Sequence, residues 1–395
     1  MYDIQGVNKE LRSTSELLRE GIRNFLDGAT ALPGEVFRDE EVFRDETQSI
    51  FLHEWISVAC AQAVSNVGDV FPVHVAGYSL LIVRDKKNQV RVFYNMCGHR
   101  GSPLVSEACR ARGGLLSCPY HGWVYSLNGN LVAAPFLNRS REDSRADDEQ
   151  LSQLGLVEVR STVWRDIIFV NLSGSAVSFE DHIAPLDRRL EDWPADELHP
   201  VSATECEVSA NWKLAAENFV DAYHLPLVHR EICSGFEGAL KQFGVSLSDR
   251  IAGMVMPEGY GSVEEDSKEK SPIFSKLRGQ KRTHIETFFI FPNTLILVEP
   301  DFQQVIVLRP QRAGLTHETF ANYVVSEGSF WEAHSELSRQ IDRDSLNVND
   351  QDIDLLEKLQ KSRSMSVASQ TQVAPEWDQT VSEFQKIWAR CFLEG

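Results

Sequence analysis

Two short cysteine-histidine turns constrain this chain more than any other feature. Cys97-Gly98-His99 and Cys118-Pro119-Tyr120-His121 are separated by 18 residues, and each is followed closely by a glycine, Gly101 or Gly122. Each turn offers one thiolate and one imidazole; brought together, they supply two sulfurs and two nitrogens. That donor set suits a tetrahedral zinc ion, or a two-iron cluster in which one iron takes both cysteines and the other both histidines. The chain has seven cysteines (60, 97, 109, 118, 206, 233 and 391), an odd number scattered over 395 residues. This is not a disulfide framework, so a metal is the better reason for clustering Cys with His.

The turns stand in a β region. From Ile56 the sequence runs in period-two stretches broken by Gly, Asn and Asp: Asp69–Val75, Tyr78–Val83, Val90–Tyr94, Leu115–Cys118, Gly122–Tyr125 and Ile167–Asn171. Asn128-Gly129 is a typical turn signal among them. We expect a small all-β domain over 56–172, with the polar stretch Asn138–Gln150 as a loop inside it. Ahead of it, 1–55 carries two amphipathic helical patterns, Ser13–Phe25 and Glu40–Trp55. Behind it, 173–395 opens with a helix-rich region punctuated by Pro185, Pro194 and Pro200, followed by a strong helical pattern at Asn211–His224. A polar tract, Pro257–Arg282, reads as a surface loop or a lid. Three strands follow (Thr283–Val298, Gln303–Leu308, Thr316–Val325), and helices close the chain (Ser329–Ser345, Val348–Lys361, Trp377–Glu394). Strands grouped with helices at their ends predict an α+β fold and not a doubly wound sheet.

A second constellation lies in Asn211–His224. On a helical wheel Glu217, Asp221 and His224 share a stripe about 60° wide, so a carboxylate and an imidazole at i and i+3 can touch. Pro226 then breaks the helix, and His229 arrives from the next turn, free to meet His224 from another direction. Downstream, Asp342, Asp344, Asp350, Asp352, Asp354 and Glu357 form an acidic cluster. The wheel puts Asp352 on the side of Leu355, Leu356 and Leu359, with Asp350, Asp354 and Glu357 opposite.

Cys-x-His and Cys-x-x-His, with Pro119 and Gly122-Trp123, closely resemble the Rieske [2Fe-2S] signature of the Rieske non-haem iron oxygenases, the catalytic (alpha) subunits of aromatic-ring-hydroxylating dioxygenases and related monooxygenases. Glu217-Asn218-Phe219-Val220-Asp221-Ala222-Tyr223-His224 with His229 resembles that family's mononuclear iron motif, and Asn349-Asp350-Gln351-Asp352 followed by Gln360 its late carboxylate motif. The resemblance implies a small antiparallel β Rieske domain inserted before a helix-plus-antiparallel-sheet, helix-grip-like catalytic domain. It implies cluster ligands Cys97, His99, Cys118 and His121, and Fe(II) ligands His224, His229 and Asp352, with Asp350 in reserve. A buried carboxylate is costly unless a cation meets it, and ferrous iron would do so. Asp221 would bridge His224 to a cluster histidine, His121, of a neighbouring subunit, and Asn218 would lie near the iron. Ser102 and Tyr120 stand where respiratory Rieske proteins resemble a cysteine bridge between the loops. With no bridge and fewer hydrogen-bond donors, the cluster is expected at low potential.

The expected function is a terminal oxygenase component that uses O2 and external electrons to hydroxylate a small organic substrate. Asp221, where some quaternary-ammonium demethylases of the family carry Glu, favours an aromatic substrate. A choline-, carnitine- or betaine-type N-methyl compound is the alternative, and a zinc-stabilised binding protein the distant one. Phe288, Phe289 and Phe291 either line an apolar pocket or pack the core. With no Gly-x-Gly-x-x-Gly fingerprint and no plant-type ferredoxin run, electrons must come from a separate NAD(P)H reductase, with or without a ferredoxin. The resemblance also implies a homotrimer, with a beta subunit possible.

Charge narrows the partners. The chain carries 39 Lys+Arg against 58 Asp+Glu, a net −19, which argues against nucleic acid or an anionic membrane. No apolar run approaches the roughly 18 residues of a membrane span, and Asp3, Glu10, Glu16 and Glu20 stand where a signal-peptide core would be, so a cytoplasmic location is expected. Residues 56–172 hold 12 basic and 10 acidic residues, so the acidity belongs to the rest of the chain. Around the turns, Arg91, Arg100, Arg110 and Arg112 read either as a plain solvated surface or as a docking patch for an acidic redox partner.

Overall fold

All strand pairs among the described residues are antiparallel; most join consecutive strands through short connections, while Ile56–Cys60 with Ile167–Asn171 and Leu198–Val208 with Leu315–Val325 join strands distant in the chain. The computed structural model describes residues 14–28, 31–135, 154–230, 242–256, 272–325, 335–365, 372 and 374–395. The expected loop Asn138–Gln150 lies outside them, as do residues 257–271 of the polar tract and 329–334 of the first closing helix. The fold is α+β.

Three small sheets form the N-terminal β region. One has the order Val90–Tyr94, Tyr78–Arg84, Asp69–Val75, Cys109–Arg110; the second is the meander Leu115–Ser117, Val124–Ser126, Leu131–Ala133. The third pairs Ile56–Cys60 with Ile167–Asn171 and Arg160–Trp164. Alternation along Tyr78–Arg84 divides its side chains between two cores. Leu81 and Val83 join Phe93, Trp123 and Tyr125 around Cys97 and Cys118, while Leu80 and Ile82 enter the core shared with the helices of the C-terminal half. One strand thus ties the metal turns to the rest of the molecule.

The C-terminal half is built on seven strands in the order Leu198–Val208, Leu315–Val325, Phe302–Arg312, Thr294–Val298, Ile285–Ile290, Ile251–Met256, Phe243–Ser246. Phe288, Ile290, Ile296 and Val298 face one way, toward Trp193, Phe169 and Phe179; Phe289, Leu295, Ile306 and Phe320 face the other, toward Trp212, Phe384 and Trp388 of the helices. Phe288, Phe289 and Phe291 are fully buried in these cores, so core packing is their role.

The elements differ from expectation in five places. The helix expected to run to His224 spans Trp212–Phe219 and stops there. Asn211 caps it, its side chain accepting from Lys213 N–H, but Asp221 to His224 form a turn. Pro226 does not end a helix; it sits in the first turn of a new one, Leu225–Val228, where its missing N–H costs nothing. Ser329–Ser345 and Val348–Lys361 are not separate: one helix runs Ser335–Arg363. Thr283–Val298 is a hairpin of two strands, and Leu198–Val208, expected among helices, is a strand pairing with Leu315–Val325. Within the polar tract, Phe274 and Leu277 are buried in the sheet core, which anchors its last part.

Candidate metal centres

The two Cys-His turns are built alike. In the first, Cys97 N–H donates to Ser102 O (2.8 Å) and Gly101 N–H to Cys97 O (3.0 Å); in the second, Cys118 N–H donates to Trp123 O (2.7 Å) and Gly122 N–H to Cys118 O (3.0 Å). Gly101 and Gly122 close these turns at φ 73° and 72°, a left-handed conformation that favours glycine. The repetition orients both pairs of donors the same way. Cys97 and Cys118 point inward and are buried; His99 and His121 face outward, with Nδ1 atoms 3.2 Å apart. Two nitrogens held at about 2.0–2.1 Å by one tetrahedral ion would stand roughly 3.3 Å apart. His99 is fixed by stacking on Trp123 at 4.9 Å and 12°.

The sulfurs sit among donors. Tyr125 OH lies 3.1 Å from Cys97 Sγ and accepts from Gly98 N–H (3.0 Å). Burial would raise the Cys118 thiol, but the N–H groups of Tyr120 and His121, with Cys97 and Ser102, hold it below its ordinary value. Cys97 is raised, by burial first. Paired sulfurs inside, paired imidazole nitrogens outside and N–H groups aimed at sulfur fit a two-iron cluster. Cys109 is exposed on the short strand Cys109–Arg110, consistent with a bystander. The basic patch is smaller than expected. Arg91 is neutralised by Asp85 (3.0 Å) and Glu158 (2.7 Å), and Arg110 approaches Asp69 at 3.9 Å.

The second centre forms from three separate segments. His224 and His229 bracket the short helix Leu225–Val228, whose bonds to His224 O and Leu225 O set their spacing; their rings lie 5.2 Å apart at 75°. Asp352 comes from the middle of Ser335–Arg363, with Oδ1 3.0 Å from His229 Nε2 and 3.5 Å from His224 Nε2. Donor atoms of His224, His229 and Asp352 all lie within 4.8 Å of one another. Burial would raise the Asp352 carboxyl, yet the two imidazoles bring it down to about 2. Burial would lower His224, but Asp221 and Asp352 push it up to about 9. His224 Nε2 is buried with no hydrogen-bond partner among the described residues. Two imidazoles and a carboxylate converging on one point, one nitrogen orphaned, suit a divalent cation with open positions.

Each imidazole is oriented from behind. Asp221 Oδ2 lies 3.1 Å from His224 Nδ1, the contact expected from helical spacing but delivered by a turn, with Asp221 Oδ1 accepting from Tyr223 N–H (2.7 Å). Gln351 Oε1 lies 2.8 Å from His229 Nδ1. Gln351 was missed from sequence; its only signal is adjacency to Asp352. Such partners fix the tautomer that leaves Nε2 free to bind. Glu217, placed on the same stripe by the helical wheel, instead accepts from Gln385 Nε2 (2.8 Å). Asp350 is exposed and outside the triad. The Asn218 carbonyl accepts from Asp221 N–H (3.2 Å) and shapes the turn.

A model of the Rieske [2Fe-2S] domain matches residues 54–159, and one of the ring hydroxylating alpha subunit (catalytic domain) matches residues 195–394. The chain therefore belongs to the ring-hydroxylating alpha-subunit family, with a Rieske [2Fe-2S] cluster and a mononuclear iron as its cofactors. It is 32% identical over 203 residues to the carnitine monooxygenase oxygenase subunit of Escherichia coli (strain K12), covering 51% of this chain and 52% of that one. It is 33% identical over 195 residues to the 2-aminobenzenesulfonate 2,3-dioxygenase subunit alpha of Alcaligenes sp, covering 49% and 48%. The chain spans about half the length of the curated relatives it matches. Among solved structures, naphthalene 1,2-dioxygenase from Rhodococcus sp. bound to indole aligns with TM-score 0.78 at 19% identity, over 96% of this chain and 99% of that one. A quaternary ammonium Rieske monooxygenase aligns with TM-score 0.74 at 21% identity, over 94% and 98%.

Proposed function

We propose that this chain is the terminal oxygenase component of a multi-component system, hydroxylating a small organic substrate with O2 and electrons from a separate NAD(P)H reductase, with or without a ferredoxin. The observation that carries the reading is the coexistence in one chain of the paired Cys-His turns and the His224–His229–Asp352 triad. Residues 56–172 would form the cluster domain and 173–395 the catalytic domain, with 1–55 packed on the latter.

In this reading Cys97, His99, Cys118 and His121 hold the cluster, and His224, His229 and Asp352 hold Fe(II). When bound, the iron would supply oxygen activation and the cluster one-electron delivery. Asp352 balances the ion's charge from the long helix. Asp221 and Gln351 keep the imidazoles turned so that Nε2 faces the ion. Asp221, 23% exposed, would also accept a hydrogen bond from His121 of a neighbouring subunit. Exposed Tyr223 (42%) and Leu227 (55%) beside it, and exposed Met96 (48%) and Tyr120 (57%) beside the Cys-His turns, support two faces that meet between copies and close a homotrimer. No helix of the described residues is long and apolar enough to cross a membrane. All six described cysteines are free, as in a reducing cytoplasm.

An aromatic substrate is the first reading. A quaternary ammonium or N-methyl compound is the second, favoured by the carnitine and glycine betaine monooxygenase relatives. Iron and sulfide counting should give three irons and two labile sulfides per chain, and product analysis under labelled O2 with aromatic acids and N-methyl compounds should find the label in one class. A colourless, zinc-loaded protein would overturn the reading. Asp221→Asn should leave both metals in place and slow turnover by at least tenfold; turnover at the wild-type rate would remove the bridging role.

A further inference from the structure

Alternate residues of the strand Ile285–Ile290 point toward the helices, and these are Ile285, Thr287 and Phe289. Ile285 belongs to a small core of its own, with Ala222, Met254 and Met256, against which Leu225 and Leu297 pack. Ala222 and Leu225 flank Tyr223-His224, so this cluster lies against the turn that carries a triad histidine. Phe289, at the other end, is packed in the helix-side core with an edge-to-face contact to Phe384 at 5.3 Å. Thr287 stands between the two. Its cross-strand neighbours are Met254 and Leu297, both of the small cluster. It is 3% exposed, and its Oγ1 has no hydrogen-bond partner among the described residues.

Buried polar atoms in folded proteins are nearly always satisfied, and valine would fill the same space without a hydroxyl to desolvate. The hydroxyl therefore calls for a partner that arrives from outside the described chain. Unbranched Met254 and Met256, both on the neighbouring strand Ile251–Met256, give one wall that adapts to ligand shape.

We propose that Thr287 is a substrate-orienting residue, and that the pocket it serves takes a small apolar molecule bearing one hydrogen-bonding group. This rests on the oxygenase reading above and narrows its substrate class. A neutral hydroxyl donates to a carbonyl or accepts from N–H or O–H, and so fixes which edge of a flat apolar molecule turns toward His224. It gains nothing from a quaternary nitrogen, which has neither donor nor acceptor. The role is one of positioning; the hydroxyl takes no part in bond making.

The test is calorimetric binding of indole and indene, near-isosteres differing in one N–H, to the anaerobic metal-loaded protein. The wild type should prefer indole by about fivefold, the worth of one net hydrogen bond. Thr287→Val should bring the two within twofold of each other without weakening indene, and Thr287→Ser should keep the preference, which separates loss of the hydroxyl from misfolding. Equal affinities in the wild type, a preference that survives Thr287→Val, or L-carnitine binding more tightly than both would overturn the proposal while leaving the oxygenase reading intact. A preparation that takes up neither iron nor sulfide would overturn both.

Discussion

Tyr125 shows how a single side chain alters an expectation drawn from motif spacing. The absence of bridging cysteines at Ser102 and Tyr120 suggests a cluster poor in hydrogen bonds, yet Tyr125 OH lies 3.1 Å from Cys97 Sγ. A hydrogen bond to sulfur favours the reduced, more negative cluster. Tyr125→Phe should lower the midpoint potential by roughly 40 mV, the equivalent of about 1 kcal/mol for one electron, read by dithionite titration; an unchanged or higher potential would exclude the contact. His182, buried beside Phe179, makes a different prediction. Burial, with Arg250 adding to it, lowers its pKa to about 4 from an ordinary 6.5. The folded protein then resists a proton that the unfolded chain accepts, so stability is full above pH 6.5 and falls as pH drops toward 4. Urea melts at pH 7 and 4.5 should reveal the loss, and His182→Leu should reduce that pH dependence.

At the scale of elements, the helix Trp212–Phe219 is positioned by a buried ion pair. Lys213 (1% exposed) meets Glu46 (0% exposed), whose carboxylate also accepts from Trp212 Nε1 (3.1 Å) and Trp388 Nε1 (2.8 Å). The ammonium lies 5.2 Å from the Trp212 ring and 5.3 Å from the Trp388 ring. Three distant segments meet there, just before the triad turn. Glu46→Gln should destabilise the protein by about 3–5 kcal/mol in urea, because it strands a buried cation, whereas Glu46→Gln with Lys213→Met should recover most of that loss. None of this was legible in the sequence, since Glu46 and Lys213 are mid-pattern residues of two ordinary helices. The Cys-His turns were legible because their chemistry is local, needing only a tight turn with a glycine. Asp352 was legible from its side of a helix, although its carboxylate is 20% exposed and not sealed away. The end of the Trp212–Phe219 helix was not, because the apolar spacing continues past Phe219 while metal geometry demands a turn. Strand Leu198–Val208 escaped notice because its burial is partial along most of its length, leaving a weak alternation.

For the whole molecule, the asymmetry of charge acquires a place. With Arg91 neutralised and Arg110 3.9 Å from Asp69, Arg100 is the arginine whose charge reaches His121, while the excess acid lies elsewhere in the chain. Oxidation of the reduced protein by ferricyanide, an anionic probe, should slow several-fold in Arg110→Glu/Arg112→Glu at low salt, and the difference should vanish by about 0.5 M salt, where the Debye length is only a few ångströms. A rate indifferent to the substitutions would make these arginines plain solvated surface.

The long helix Ser335–Arg363 links these scales. Asp342 and Ser345 bond strand residues Asn322 and Gln304, Asn349 approaches Cys206, and Asp352 joins the histidines. Leu356 enters the core, Gln360 accepts from Asn211 N–H and donates to Phe37 O, and Arg363 lies over Phe37. These residues recur at intervals of three and four along one stripe. A single inserted residue would swing everything after it by about 100° and advance it by about 1.5 Å, parting Asp352 either from the strands before it or from the helix cap after it. This helix is a gauge of fixed phase, and engineered insertions belong outside Ser335–Arg363.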